Sequence, residues 1–259
     1  MNESPTPNLY GETPGSAPVQ AAPQSVWDQL VGVFTEPTKV FQHLRLSPAW
    51  VGALILVIGT ALFASLVWAA KVDMEAVVKH QMEVMEQAFH MAIPADAMDK
   101  AMEQAATSGQ PILKSALGII FITPLIFLVM AGILYGFTRF GGTDEEVTFK
   151  HAWAATVVHG LSMVPIALLA GIVCLVRPVG GAASYASLAP SNPGFWMHLE
   201  NPWLRGLVGI FDPFYLFSFV VLFLAARHTL RLKTWAAALV VGLMGFFGFL
   251  FHFFNGLFS

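Results

Sequence analysis

Three ionisable side chains, His159, Asp212 and His252, lie within or at the rim of long apolar runs. An ionisable group in hydrocarbon is costly, so each is a candidate for function, and a histidine with a carboxylate at such depth could pass a proton. The surroundings temper that reading. His159 has no carboxylate in its own run, and His252 falls near the end of one, beside Asn255. Asp212 precedes Pro213, a pairing that starts helices because the carboxylate accepts free amide hydrogens and proline has none to offer, so its expected role is capping. His80 and His90 sit among carboxylates, but ten residues apart on a helix they fall off one face and are not expected to share a metal. Cys174 is the single cysteine and sits in an apolar run, which leaves no intrachain disulfide and no thiolate zinc cluster. The sequence has no HExxH, no GxSG-like serine with a helical histidine, no paired aspartates on adjacent helices, and no nucleotide-binding GxxxxGK[ST] or GxGxxG. The chain is therefore expected to be neither an enzyme nor a nucleotide binder, and no cofactor is expected.

The elements that must position these groups are membrane helices. The 259 residues are 56% hydrophobic and only 11% charged, which does not suit a surface facing water. With a net charge of −3 and 13 scattered Lys and Arg, no face is suited to nucleic acid. Five apolar runs, at about 50–70, 112–137, 151–176, 207–226 and 235–258, predict an all-α, polytopic membrane protein built as a bundle of five spans. The first run begins too deep for an ordinary secretory signal and reads as an uncleaved helix.

Residues 1–24 carry five prolines among small polar residues and read as a disordered tail, which leaves 25–259 as the transmembrane domain. Ser25 can cap a helix bearing Val26, Trp27, Leu30, Val31 and Phe34, and Glu36-Pro37 restarts a second with Val40, Phe41 and Leu44. These fit interfacial helices, with Lys39 and Arg45 reaching anionic lipid, or helices whose apolar side packs on the bundle. Residues 72–110 read as an amphipathic helical pair outside the bilayer, broken at Pro94.

Small residues mark helix contacts. Gly132-x-x-x-Gly136 in the second run and Ala152, Thr156 and Gly160 in the third are faces that could meet each other. Pro124 is expected to kink the second run, Pro165 lies in the third about one and a half turns after His159, and Gly242, Gly245 and Gly248 stripe the fifth. Gly141-Gly142 is expected to end the second helix through a left-handed backbone, before the acidic turn Asp144, Glu145 and Glu146. With the N terminus inside, seven basic residues fall inside and six outside, but the inside ones are concentrated, three of them in the short fourth connection. The expectation is N terminus in the cytoplasm and C terminus outside.

The chain resembles the Yip1 domain family, in its bacterial branch. The resemblance rests on Phe34-Thr35-Glu36-Pro37 with Phe41; on Gly141-Gly142 followed by Thr148-Phe149-Lys150-His151-Ala152 and Pro165; and on Phe211-Asp212-Pro213-Phe214 before Arg231 to Ala237. Pro213 and Phe217 stand where the family often has a small or aliphatic residue and a tryptophan. The resemblance implies five membrane helices with a cytoplasmic N-terminal region and no catalytic residues. Eukaryotic relatives act in vesicle traffic and bind prenylated GTPases and each other, but nothing in this sequence would recognise a GTPase. The expected role is a non-enzymatic organiser of the bacterial inner membrane, with membrane lipids and a membrane protein or a second copy as partners. The alternative is a permeation protein for lipid or a small molecule, using His159, Thr156 and Asp212. Gly141, Gly142, Phe149, Lys150, His159, Pro165 and Asp212 are the positions singled out for function or packing.

Overall fold

A computed structural model describes residues 22–90, 93–107, 111–142, 146–180, 185–197, 199 and 201–257. Most of the proline-rich tail, Asp144 and Glu145 of the acidic turn, and the side chain of Asn255 lie outside the described residues. Regular structure among the described residues is helical: α1 (Val26–Thr35), α2 (Pro37–Leu46), α3 (Val51–Ala69), α4 (Met74–Phe89), α5 (Ala95–Thr107), α6 (Pro111–Gly141), α7 (Phe149–His159), α8 (Val164–Val176), α9 (Pro202–Val208), α10 (Pro213–His228) and α11 (Thr234–Leu257). Among the described residues four spans are long and apolar enough to cross a bilayer, namely α3, α6, α7 with α8, and α11.

The expected fourth span, 207–226, falls on a bent pair of helices, the geometry of a broken span or a re-entrant loop. α9 and α10 are bent by 47° about a short break, and together they pass the same test. Each half has its own start signal: Asn201 caps α9 with Pro202 behind it, and Asp212 caps α10 with Pro213 behind it. Asp212-Pro213 interrupts the apolar run as the expected helix start, and a second start at Asn201-Pro202 sets the preceding helix on its own axis.

The third span is the hub. Its most apolar window is 67% buried, against 17% for α6 and 11% for α11, so the outer helices pack around it and turn most of their surface to lipid. Ala152, Ala154, Ala155, Thr156, Val157 and Val158 are all buried, and such small or slender side chains let several helices approach at once. Between α7 and α8 the backbone tightens into a 3-10 turn at Gly160–Met163. Pro165 accounts for it, because its ring excludes the carbonyl four residues back and it has no amide hydrogen to donate. The Ser162 hydroxyl donates to the His159 carbonyl at 2.8 Å, within the same turn.

The expected meeting of Gly132 and Gly136 with the small face of α7 does not occur. A Cβ added at either glycine would meet nothing within 4 Å, and the same holds for Gly59 and Gly242. α6 turns Phe127, Ala131 and Leu134 inward instead, and the Phe127 ring fills the notch at Gly160, where a Cβ would lie 2.7 Å from its Cζ. The small residue makes room for an aromatic ring rather than for a helix backbone.

Of the two readings open for the N-terminal helices, the apolar side packs on the bundle. Val33, Val40, Phe41 and Leu44 are buried in one cluster with Val157, Val158 and Val221. Polar contacts hold the pair in place: Gln29 donates to the Ala49 carbonyl at 3.0 Å, and the Thr229 hydroxyl donates to the Phe41 carbonyl at 2.8 Å. Trp27, Val31 and Leu46 remain exposed on the outer side of the pair. The α4–α5 pair rests on the opposite end of the bundle, with Val84, Ala88 and Leu257 buried together and Phe89 edge-on to Trp203 at 5.6 Å. Asp73 caps α4, and His90, in the left-handed region at φ 52°, ends it before Pro94.

Candidate functional site: a polar row along α10

Asp212 starts the row. It is 3% exposed, accepts from the amides of Phe214 (2.8 Å) and Tyr215 (3.2 Å), and receives the Ser191 hydroxyl at 2.5 Å. Capping, as expected from Asp212-Pro213, is therefore what this carboxylate does. Tyr215 and Ser218 follow at i+3 and i+6, which puts all three on one buried face of α10. The Ser218 hydroxyl donates to the Tyr215 carbonyl at 2.6 Å.

Both histidines of the apolar runs, His159 buried and His252 half-buried, come to this face. His252 of α11 lies against the Tyr215 ring with centroids 3.8 Å apart, within electrostatic reach of Asp212. The Tyr215 hydroxyl rests over Gly248, where a Cβ would sit 2.5 Å from it, which gives one member of the glycine stripe on α11 its reason. His159 reaches Ser218 from α7, beside its main chain. Neither nitrogen of His159 and not the Tyr215 hydroxyl has a hydrogen-bond partner within the protein. Thr156 donates to the Ala152 carbonyl at 2.8 Å and so is satisfied inside α7. What the row offers is hydrogen bonding and proton exchange: a carboxylate, two imidazoles and a phenol, strung from the start of α10 to the middle of the third span. Outside the spans, burial pushes the Tyr185 phenol above its ordinary range.

Of the residues singled out in the sequence, His159 and Asp212 belong to the row, and Pro165 shapes the turn after His159. Gly141, Gly142, Phe149 and Lys150 do not join it. They stand at the other end of the bundle, where the α6–α7 turn meets the α10–α11 turn. There Lys233 N donates to the Gly141 carbonyl at 2.8 Å, Gly142 pairs with Leu232, and Phe149 meets Tyr135 edge-on at 5.9 Å. Neither glycine has a positive φ. The expectation of a left-handed helix end is thus corrected: glycine is needed for close approach, because a Cβ on Gly141 would collide with Ala236 and one on Gly142 with the Thr138 carbonyl. Lys150 is exposed on the first turn of α7.

Sequence reasoning missed Tyr215 and Ser218, whose spacing from Asp212 was the available signal. It also missed the work of His151. The ring accepts from Thr148 N through Nδ1 at 3.1 Å, which leaves Nε2 to donate to the Arg45 carbonyl at 3.1 Å, tying the start of α7 to the end of α2. Among the described residues no group of three His, Cys, Asp or Glu could hold a metal ion.

Apolar helices that cross a bilayer around a buried central span, with a sparse polar row between them, define a polytopic helical integral membrane protein. The chain belongs to the Yip1 domain family, whose model matches residues 31–254, from within α1 to within α11. No curated protein and no solved structure matches it.

Proposed function

We propose that this protein is a non-enzymatic membrane organiser that gathers lipids and a membrane partner, in the first place a second copy of itself. The observation that carries the reading is the outer face of α6. Phe121, Leu125 and Val129 are exposed at helical spacing and lead to Gly132 and Gly136, where an added Cβ meets nothing. A close-approach motif that the chain's own bundle leaves open suits a helix from outside it. An open apolar groove lined by Val26, Gly52, Ile55, Gly59 and Phe63 gives room for an acyl chain. The reading places α1 and α2 on the cytoplasmic side of a bacterial inner membrane, with the C terminus outside. Arg45, Arg139, Lys150, Arg227, Arg231 and Lys233 around the Gly141 end support that orientation.

Photobleaching steps of the labelled chain in vesicles test self-association. Gly132→Leu with Gly136→Leu is expected to lower the dimer fraction by about tenfold in association constant, roughly 1.4 kcal/mol. The melting temperature should not fall, since a Cβ at either position meets no neighbour in the monomer. A chain that is monomeric before substitution would end the self-association reading.

A second reading, permeation, is favoured by the unpartnered nitrogens of His159 on the α10 row. The two readings part at His159→Leu. An organiser loses only a buried unpaired imidazole and should gain about 1 kcal/mol of stability with dimerisation intact. Proton-linked flux in reconstituted vesicles that is present before the change and abolished by it would replace the organiser with a permeation protein.

A further inference from the structure

A ten-residue helix rises about 15 Å, half the thickness of a hydrocarbon core. α1 and α2 are each that long, and their contacts fix where the junction between them lies. The end of α2 is level with the Gly141 end of the bundle: the Arg45 carbonyl meets His151 near the start of α7, and the Phe41 carbonyl meets Thr229 just past the end of α10. The end of α1 is deep. Phe34 stacks on Phe217 at 5.5 Å and meets Phe214 edge-on at 6.4 Å, both in the first two turns of α10, which start at the opposite end. α1 also packs on the 3-10 turn in the middle of the third span. Phe214 in turn packs with Ile166 and Tyr215, in the half of the bundle away from Gly141.

Directly after Phe34 come Glu36 and Lys39, which form an ion pair at 2.7 Å with side chains 56% and 71% exposed. Thr35 and Gln42 are exposed beside them. The junction so placed lies inward of the end of α10, by less than a helical turn at Lys39 and by about a turn and a half at Glu36, and it carries an exposed pair of opposite charges on a chain that shields the apolar side of both helices. Nothing about packing requires it, since both charges point away from the bundle.

We propose that this junction is a binding notch for the headgroup of a zwitterionic phospholipid, with Lys39 taking the phosphate and Glu36 the ammonium, below the plane of the lipid's own leaflet. An ion pair facing hydrocarbon satisfies only part of its hydrogen-bonding capacity, and a headgroup that carries both charges completes each partner and brings its own water. An anionic headgroup without an ammonium would satisfy Lys39 and repel Glu36. Glu36 and Lys39 lie one helical turn apart, a spacing that the phosphate and ammonium of one headgroup can bridge. The bound lipid is drawn inward, and the leaflet beside α2 thins. The proposal does not depend on α6 or on self-association.

The test uses the full chain in lipid nanodiscs and reads lipid retained per chain by native mass spectrometry, comparing phosphatidylethanolamine with phosphatidylglycerol. The unaltered chain should retain the zwitterionic lipid about tenfold more tightly. Glu36→Gln should remove that preference, Lys39→Gln should weaken retention of both lipids, and the exchange Glu36→Lys with Lys39→Glu should keep the preference. A fluorophore on Thr35→Cys, with Cys174→Ala, should be quenched by brominated acyl chains and shielded from aqueous iodide. Equal retention of the two lipids by the unaltered chain overturns the notch. Quenching by iodide alone overturns the depth on which it rests.

Discussion

Asp212→Ala is expected to lower stability by about 3 kcal/mol, measured as the shift of detergent-induced unfolding in mixed micelles. A lost helix cap alone costs about 1 kcal/mol. Here the loss is larger because the site is buried: Phe214 N, Tyr215 N and the Ser191 hydroxyl all give up their acceptor at once, and each stranded donor costs about 1 kcal/mol or more where water cannot replace it. Asp212→Asn separates this from a proton-carrying role. The amide keeps an oxygen for the two main-chain donors, so its cost should be about 1 kcal/mol. A carboxylate needed for its charge would fail equally in both variants, and equal losses would therefore move Asp212 from the cap to the row's chemistry.

The same residue shows how much could be read without coordinates. Local rules carry across to the fold: Asp212-Pro213 starts α10, Ser25 starts α1, and Pro94 separates α4 from α5, because a cap or a missing amide acts within one turn of itself. The runs that became spans follow from composition alone. What the sequence could not show is which surfaces meet. Gly132 and Gly136 have the spacing of a helix contact, and Gly160 has a small face, but the partner of Gly160 is a phenyl ring from elsewhere on α6. Spacing says that something can come close, and only packing says what. The polar row divides in the same way. Tyr215 and Ser218 were legible as a face shared with Asp212, whereas bringing His159 and His252 to it needed the crossings of α7 and α11 with α10. The depth of α1 and α2 was out of reach for a different reason: an apolar stripe looks the same whether it will lie on lipid or in a crevice of the bundle, since both are dry.

Gly141→Val, the second large effect, turns on a contact of this non-local kind and is expected to cost about 3 kcal/mol. The last turn of α6 lies flush against the first turn of α11. A Cβ at Gly141 would overlap that of Ala236 and come within 3.7 Å of two ring carbons of Trp235, and Lys233 N bonds the Gly141 carbonyl across the same seam. Forcing the seam open adds an overpacking cost of about 2 kcal/mol to a lost hydrogen bond of about 1. Gly136→Ala, five residues earlier on the same helix, meets nothing and should be neutral or gain up to about 1 kcal/mol from helix propensity. That contrast removes any explanation by glycine flexibility, because neither Gly141 nor Gly136 has a positive φ. Ala236→Gly should restore part of the loss in Gly141→Ala, with a coupling of about 1 kcal/mol in the double-mutant cycle. Additive effects at the two positions would mean that α6 and α11 do not touch there, and the joining of the two turns at this end of the bundle would go with the contact.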